Sequence, residues 1–363
     1  MNQLMRSSRR FLSRLFTFLA VPLGAVFLFT GCATVSESTN SACSLFDVPP
    51  DIADAAKHDS VIASFASAFT GKTIFLDPGH GGSDRKNKSP NGLVTEADIN
   101  LKVGLYLREM LVKAGAKVIM SRETDQTVEL KQRPLMANNS GAQYFISIHH
   151  NAPGKPSDRF TNYTSTYYHA TEEDYEHHPS NRDMAKFVNR DLAFNTGRPA
   201  GLASFDGTIS DYLIYPGDGF AVLRTINMPA ILVECSFFTN LNEEIRLADT
   251  LYNKMEAWGI FKGLGKYFRA PVPALNLKSN TIKSGKKTLE IAVNSKQPVE
   301  PWNIRAFANK EPLPVEKIKF ANNVITLDLG DAFKRETEVK VIVTNKAGLS
   351  NLPFIINLTP EAN

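Results

Sequence analysis

The sequence predicts an α/β protein, a mixed sheet covered by helices on both faces, followed by a small all-β immunoglobulin-like sandwich. Three observations carry this. From Lys72 to about Phe268, short β-rich runs alternate with longer stretches of helical periodicity, the pattern of a sheet buried on both faces. Beyond RAPVPALNL (residues 269–277) apolar residues alternate at period two with turn residues between, the pattern of a sandwich. The length, 363 residues with 43% apolar side chains, is enough for two cores.

The N-terminus comes first. MNQLMRSSRRFLSR is basic, Leu15 to Thr30 is uncharged and apolar, and Gly31-Cys32 follows. Those are the three parts of an export signal, and an apolar run of about 16 residues with Pro22 and Gly24 is short for a permanent span of roughly 20. LFTGC resembles a bacterial lipobox, which makes Cys32 the expected lipidation site and the chain a lipoprotein. SSRRFLSRL resembles a twin-arginine signal with its register displaced by one. Residues 33–44 are short and polar and read as a tether. Ile62, Phe65 and Phe69 restore helical spacing within the tether region, residues 32–70.

In the next region, TIFLD and KVIMS read as strands. Between them EADINLKVGLYLREMLVKAG places Ile99, Val103, Leu107 and Met110 or Leu111 on one face and stops at Gly115, a long amphipathic helix. YFISIHH and AILVEC are further strands, and residues 180–195 and 243–266 read as helices. In the last region KTLEIAVN, ITLDL and EVKVIVTN are strands, with turns at Ser284-Gly285 and Asn322-Asn323. The expected division is residues 1–31 signal, 32–70 tether, 71–268 catalytic domain and 272–363 sandwich.

Four acids and imidazoles fall at the ends of these elements. His80 follows the first strand in DPGHGG, Glu96 opens the long helix, His149 closes YFISIH and Glu234 closes AILVE. Ligand chemistry in open α/β sheets gathers at the carboxyl ends of strands. Each residue has an ordinary explanation. Glu96 suits the positive end of a helix, with Thr95 and Asp98 as a capping box, and a lone histidine is more often half-buried and satisfied. Glu234 ends an apolar run, where an unpaired carboxylate is costly. Together, two histidines and a carboxylate make a catalytic zinc shell with room for water, and a fourth carboxylate can move a proton. His80, Glu96 and His149 suit the first task and Glu234 the second. Pro78, Gly79, Gly81 and Gly82 leave the imidazole of His80 uncrowded. His177-His178 lies in an acidic run and reads as a solvated loop.

DPGHGG, TEADINL, SRETD, LKQRPLMANNSGAQYFISIHHNA and VLRTINMPAILVECSFFTN occur in an order that resembles the Amidase_3-type zinc-dependent N-acetylmuramoyl-L-alanine amidases over about 195 residues. The resemblance implies one Zn2+ per chain on His80, Glu96 and His149, with Glu234 as catalytic acid and peptidoglycan as substrate. The SIH register favours His149 over His150 as ligand. Arg133 and Asn138 match family positions as structural or substrate-orienting residues. Some relatives carry a long helix that plugs the site until an activator removes it. Between Asn151 and Ala230 only one long helix is legible, so no activator protein is expected. The alternative is an inactive or differently specific zinc-site protein that binds peptidoglycan.

Charge excludes nucleic acid. The net +4 rests on Arg6, Arg9, Arg10 and Arg14 within the first 31 residues, which hold no acid, so the mature chain is neutral. The sandwich has 13 basic against nine acidic residues, a mild excess that suits an anionic glycan, a membrane surface or simple solvation. A lipid-anchored, periplasm-facing envelope protein is expected. Ala33 after the cysteine favours the outer membrane. With Cys32 lipidated, Cys43 and Cys235 remain, and their spacing requires no disulfide.

Overall fold

A computed structural model describes residues 45–170, 178–201, 206–283, 286–330 and 336–359. The chain divides after Ser44, and Leu45–Asn363 forms one compact unit. Cys32, Cys43, His177 and the Ser284-Gly285 turn lie outside the described residues.

Three short helices open the unit: α1 (Pro50–Ala53), α2 (Ala55–Ser64) and α3 (Ala66–Phe69). The six-stranded sheet uses β1 (Thr73–Pro78), β2 (Lys117–Met120), β3 (Tyr144–Asn151), β4 (Ser165–Tyr168), β5 (Thr208–Ser210) and β6 (Ala230–Phe237), in the order β2-β1-β3-β6-β4-β5. β2, β1, β3 and β6 are parallel, and β4 runs antiparallel to β6, so the sheet is mixed as expected. β4 and β5 are short and were not legible in the sequence.

Alternation along the strands explains the two covered faces. Ile74, Leu76, Ile146, Ile148, Ile231 and Val233 share one core with α4 (Glu96–Lys113), α6 (Pro179–Thr196) and α9 (Thr250–Arg269). Phe75, Phe145 and Leu232 face the other way, into a smaller core with Ala137 of α5 (Gln132–Asn139) and Val222 and Leu223 of α7 (Ala221–Arg224). Phe69 of α3 stacks on Phe261 of α9 at 5.0 Å, which builds the segment before β1 into the main core.

The helix expected over 243–266 is two helices. α8 (Leu241–Leu247) stops, and Asp249 caps α9 by accepting a bond from the Leu251 amide. Two glycines in α9 survive because of packing: a Cβ on Gly259 would lie 2.5 Å from Leu192 Cα, and one on Gly263 2.6 Å from Val188 Cα. Glycine here costs helix stability and allows α6 to lie close against α9.

Two four-stranded antiparallel sheets follow. β7 (Ala274–Lys283), β8 (Lys286–Asn294), β11 (Ile318–Ala321) and β12 (Val324–Asp328) make one; β9 (Val299–Ala308), β10 (Glu311–Pro312), β13 (Thr337–Asn345) and β14 (Ile355–Leu358) make the other. Their inward residues, among them Leu289, Ile291, Ile304, Leu327, Val339 and Val341, form a separate core. Asn322 and Asn323, at φ 52° and 58°, turn β11 into β12 as the sequence suggests. Asn345 Nδ2 donates to the Pro271 carbonyl at 2.6 Å, and Asp183 of α6 accepts the Ser350 amide at 2.8 Å, tying the sandwich to the first lobe.

Candidate metal-binding active site

The site grows from the end of β1. The Gly79 amide donates to the Ile148 carbonyl at 3.0 Å, after which the chain turns away through His80, held at φ 60°. That conformation is uncommon for a residue with a Cβ. Two buried guanidinium groups hold it. Arg122 donates to the carbonyls of Pro78 at 2.8 Å and Gly79 at 2.9 Å. Arg133 donates to Asp77 at 2.6 Å and to the carbonyls of Pro78 and His80, both at 2.9 Å. Each carbonyl of the turn from Pro78 to His80 therefore has a charged donor, and the strain is offset by charge-assisted bonds.

Gly79 is required by closeness. A Cβ there would lie 2.1 to 2.7 Å from three atoms of the His149 ring. Gly79→Ala is expected to push His149 from its place and to weaken metal binding at least tenfold while the fold persists. Equilibrium dialysis against zinc checks this, and unchanged affinity would show that the ring can move without cost.

His80, Glu96 and His149 meet here. His80 Nε2 is 3.1 Å from Glu96 Oε2, and His149 Nδ1 is 3.0 Å from Glu96 Oε1. One ligand atom from each lies within 4.8 Å of the others. His80 Nδ1 donates to Asp84 at 2.7 Å, which turns Nε2 toward the cluster. Burial would lower the His80 pKa, but Glu96 and then Asp84 outweigh it and push it up to about 9. Glu96 is 2% exposed and accepts from Asn87 at 2.6 Å and Asn100 at 3.3 Å. Burial would raise its pKa, yet the bonds from His149 and His80 hold it well below the ordinary value. Thr95 does not form the anticipated capping box. Its hydroxyl instead donates to the Asp98 carboxylate at 2.5 Å, which also pairs with Arg85.

Glu234 stands beside His149 in the β3–β6 register. Its Oε2 is sealed from solvent without a hydrogen-bond partner. Burial, and then the charge of Glu96, raise its pKa well above the carboxylate range.

The residues fit a metal. Two imidazoles and a carboxylate are the donors that zinc accepts. Each of His80 and Glu96 is oriented by a further polar side chain, and a nearby cation would favour the ionised form of Glu234. A half-buried carboxylate with one sealed oxygen, beside such a donor set, is the arrangement of a hydrolytic site with room for a metal.

Comparison with known proteins places the chain more closely. Residues 74–266 match the family model described as N-acetylmuramoyl-L-alanine amidase. The germination-specific N-acetylmuramoyl-L-alanine amidase of Bacillus subtilis (strain 168) is 31% identical over 213 residues, which cover 55% of this chain and 81% of that one. The N-acetylmuramoyl-L-alanine amidase CwlM of Bacillus licheniformis is 35% identical over 206 residues, 54% of this chain and 68% of that one. A solved structure of the CwlD amidase from Clostridioides difficile, in complex with the GerS lipoprotein, is 28% identical and covers 55% of this chain and 99% of that one, with a TM-score of 0.46. The chain belongs to the N-acetylmuramoyl-L-alanine amidase family.

Asn138 lies outside the cluster. It donates to the Thr225 carbonyl at 2.8 Å and accepts the Asn227 amide at 3.1 Å, fixing the loop before β6. His178 directly precedes α6, and Cys235 is a free, buried thiol. Sequence reasoning did not single out Asp84, Asn87, Asn100 or Arg122. One of them had a signal: Asn100 is four residues after Glu96 on one helix face.

Proposed function

We propose that the chain hydrolyses the amide between the lactyl group of N-acetylmuramic acid and the L-alanine of the stem peptide in peptidoglycan. One zinc ion would be held by His80, Glu96 and His149. The observation that carries this is the partnerless, sealed carboxylate oxygen of Glu234 beside that donor set, in a chain of the amidase family. When bound, zinc polarises a carbonyl and lowers the pKa of a water from about 15.7 to about 7.

The chain's own residues do the rest. Asp84 fixes the His80 tautomer, and Asn87 and Asn100 fix Glu96. Glu234 accepts the proton of the attacking water and passes it to the amide nitrogen as the carbon–nitrogen bond breaks. One water is consumed, a carboxylic acid stays on the sugar, and the stem peptide leaves with a free amine.

Cys32 is proposed as a lipid anchor that holds the enzyme in the bacterial envelope, facing the periplasm, with the outer membrane favoured. No activator protein is proposed. Among the described residues, the one long helix between Asn151 and Ala230 is α6, which packs on the sheet and α9. Digestion of purified peptidoglycan by the unit Leu45–Asn363 alone, read by mass spectrometry, tests both points. Intact stem peptides and unsubstituted glycan are expected. Cuts inside the peptide would overturn the bond assignment, and activity only after adding a partner protein would overturn independence.

A further inference from the structure

On the core side of Glu96 lies a group of polar side chains that the proposed chemistry does not use. His150 is 2% exposed and Glu256, on α9, is 0% exposed. His150 Nδ1 lies 2.7 Å from Asn100 Oδ1, and its Nε2 lies 3.2 Å from Glu256 Oε1. Asn100 Nδ2 donates to Glu96 Oε1 and to the Gly79 carbonyl, both at 3.3 Å. Two acceptors on one side fix the Asn100 amide, so its oxygen must face His150. That assigns a proton to His150 Nδ1. The His150 amide also donates to Glu96 Oε1 at 3.2 Å.

We propose that Glu256, His150 and Asn100 form a positioning relay that locks the Glu96 carboxylate and the Gly79 carbonyl for metal binding. The proposal rests on reading His80, Glu96 and His149 as the ligands. The relay links α9, β3 and α4 to one oxygen of Glu96. A buried carboxylate held this way loses little freedom when a metal arrives, so more of the binding energy survives.

His150, Cys235 and Glu256 could themselves be read as a metal site, since their ligand atoms lie within 4.8 Å. One fact speaks against it: Cys235 is 1% exposed and burial pushes its thiol pKa up, so forming the thiolate a metal needs is costly.

Zinc affinity of the full chain, measured by competition with a chromogenic chelator, tests the relay. His150→Ala is expected to bind zinc 10- to 100-fold more weakly. Glu256→Leu should also weaken zinc, whereas Glu256→Gln, which keeps shape and hydrogen bonding, should stay nearer wild type. Leu264→Ala, buried on α9 but off the relay, should lower Tm with zinc affinity unchanged. Wild-type affinity in His150→Ala overturns the proposal. So does an equal loss in Leu264→Ala, which would make the effect merely structural, or a second equivalent of tightly bound zinc. If His150→Ala does not fold, the Glu256→Leu and Glu256→Gln pair decides, and equal affinities there overturn the relay. His149→Ala in the same assay separates the two readings: wild-type affinity there means the ligand assignment itself has failed.

Discussion

Glu234→Gln is expected to lower peptidoglycan hydrolysis by about 10²- to 10⁴-fold while zinc content and fold remain as in the wild type. Glutamine keeps the size of the side chain and removes its capacity to accept and return a proton. The variant also reports on burial. In the metal-free chain, burial and then the neighbouring Glu96 raise the Glu234 pKa well above 4.5. A raised acid binds its proton more tightly folded than unfolded. Its contribution to stability is thus full below about 4.5 and is lost as pH rises through the folded value. Metal-free Glu234→Gln should therefore gain stability over metal-free wild type as pH rises from 4 to 8, seen as a growing difference in Tm. Full activity in the variant would remove Glu234 from the mechanism; a flat Tm difference would show that its carboxylate is solvated.

Arg133→Met is expected to cost about 3–5 kcal/mol of folding stability, the range for removing one partner of a buried ion pair. Asp77 is 0% exposed, and without Arg133 its remaining side-chain partner is the Ser147 hydroxyl at 3.0 Å. The Pro78, His80 and Val128 carbonyls lose the same donor. Denaturant unfolding of the metal-free unit measures the loss. Asp77→Asn in the Arg133→Met background should recover part of it, because it removes the stranded charge. A loss below about 1 kcal/mol would mean that water replaces the guanidinium, as at an exposed pair.

Most strands and the positions of the four acids and imidazoles were legible because each signal is local. A glycine-rich turn after an apolar run carries His80, the apolar runs YFISIH and AILVE end in His149 and Glu234, and helical spacing starts at Glu96. The hold of Arg122 and Arg133 on the β1 turn was not legible, because their acceptors there lie 43 to 56 positions away and only the folded sheet brings them together. The antiparallel β4 was missed because its four residues carry no pattern of direction. The break at Asp249 was hidden by apolar spacing that continues on both sides of it. The lipobox reading of Cys32 rests on the sequence alone.

The first strand of the sandwich begins at Ala274, just beyond α9. The last turn of α9 lies at the entry end of the strands, where the rings of Phe268 and Tyr144 are 4.6 Å apart and Lys72 lies over Phe268 at 4.9 Å. His80 and His149 sit at the exit end. One strand length of roughly 20 Å separates the two ends, and the sandwich is moored at the end away from the catalytic mouth. Among the described residues, the bonds that tie it down, from Asn345 to Pro271 and from Ser350 to Asp183, lie at that far end, so a substitution that loosens them leaves the residues around His80 and His149 in place.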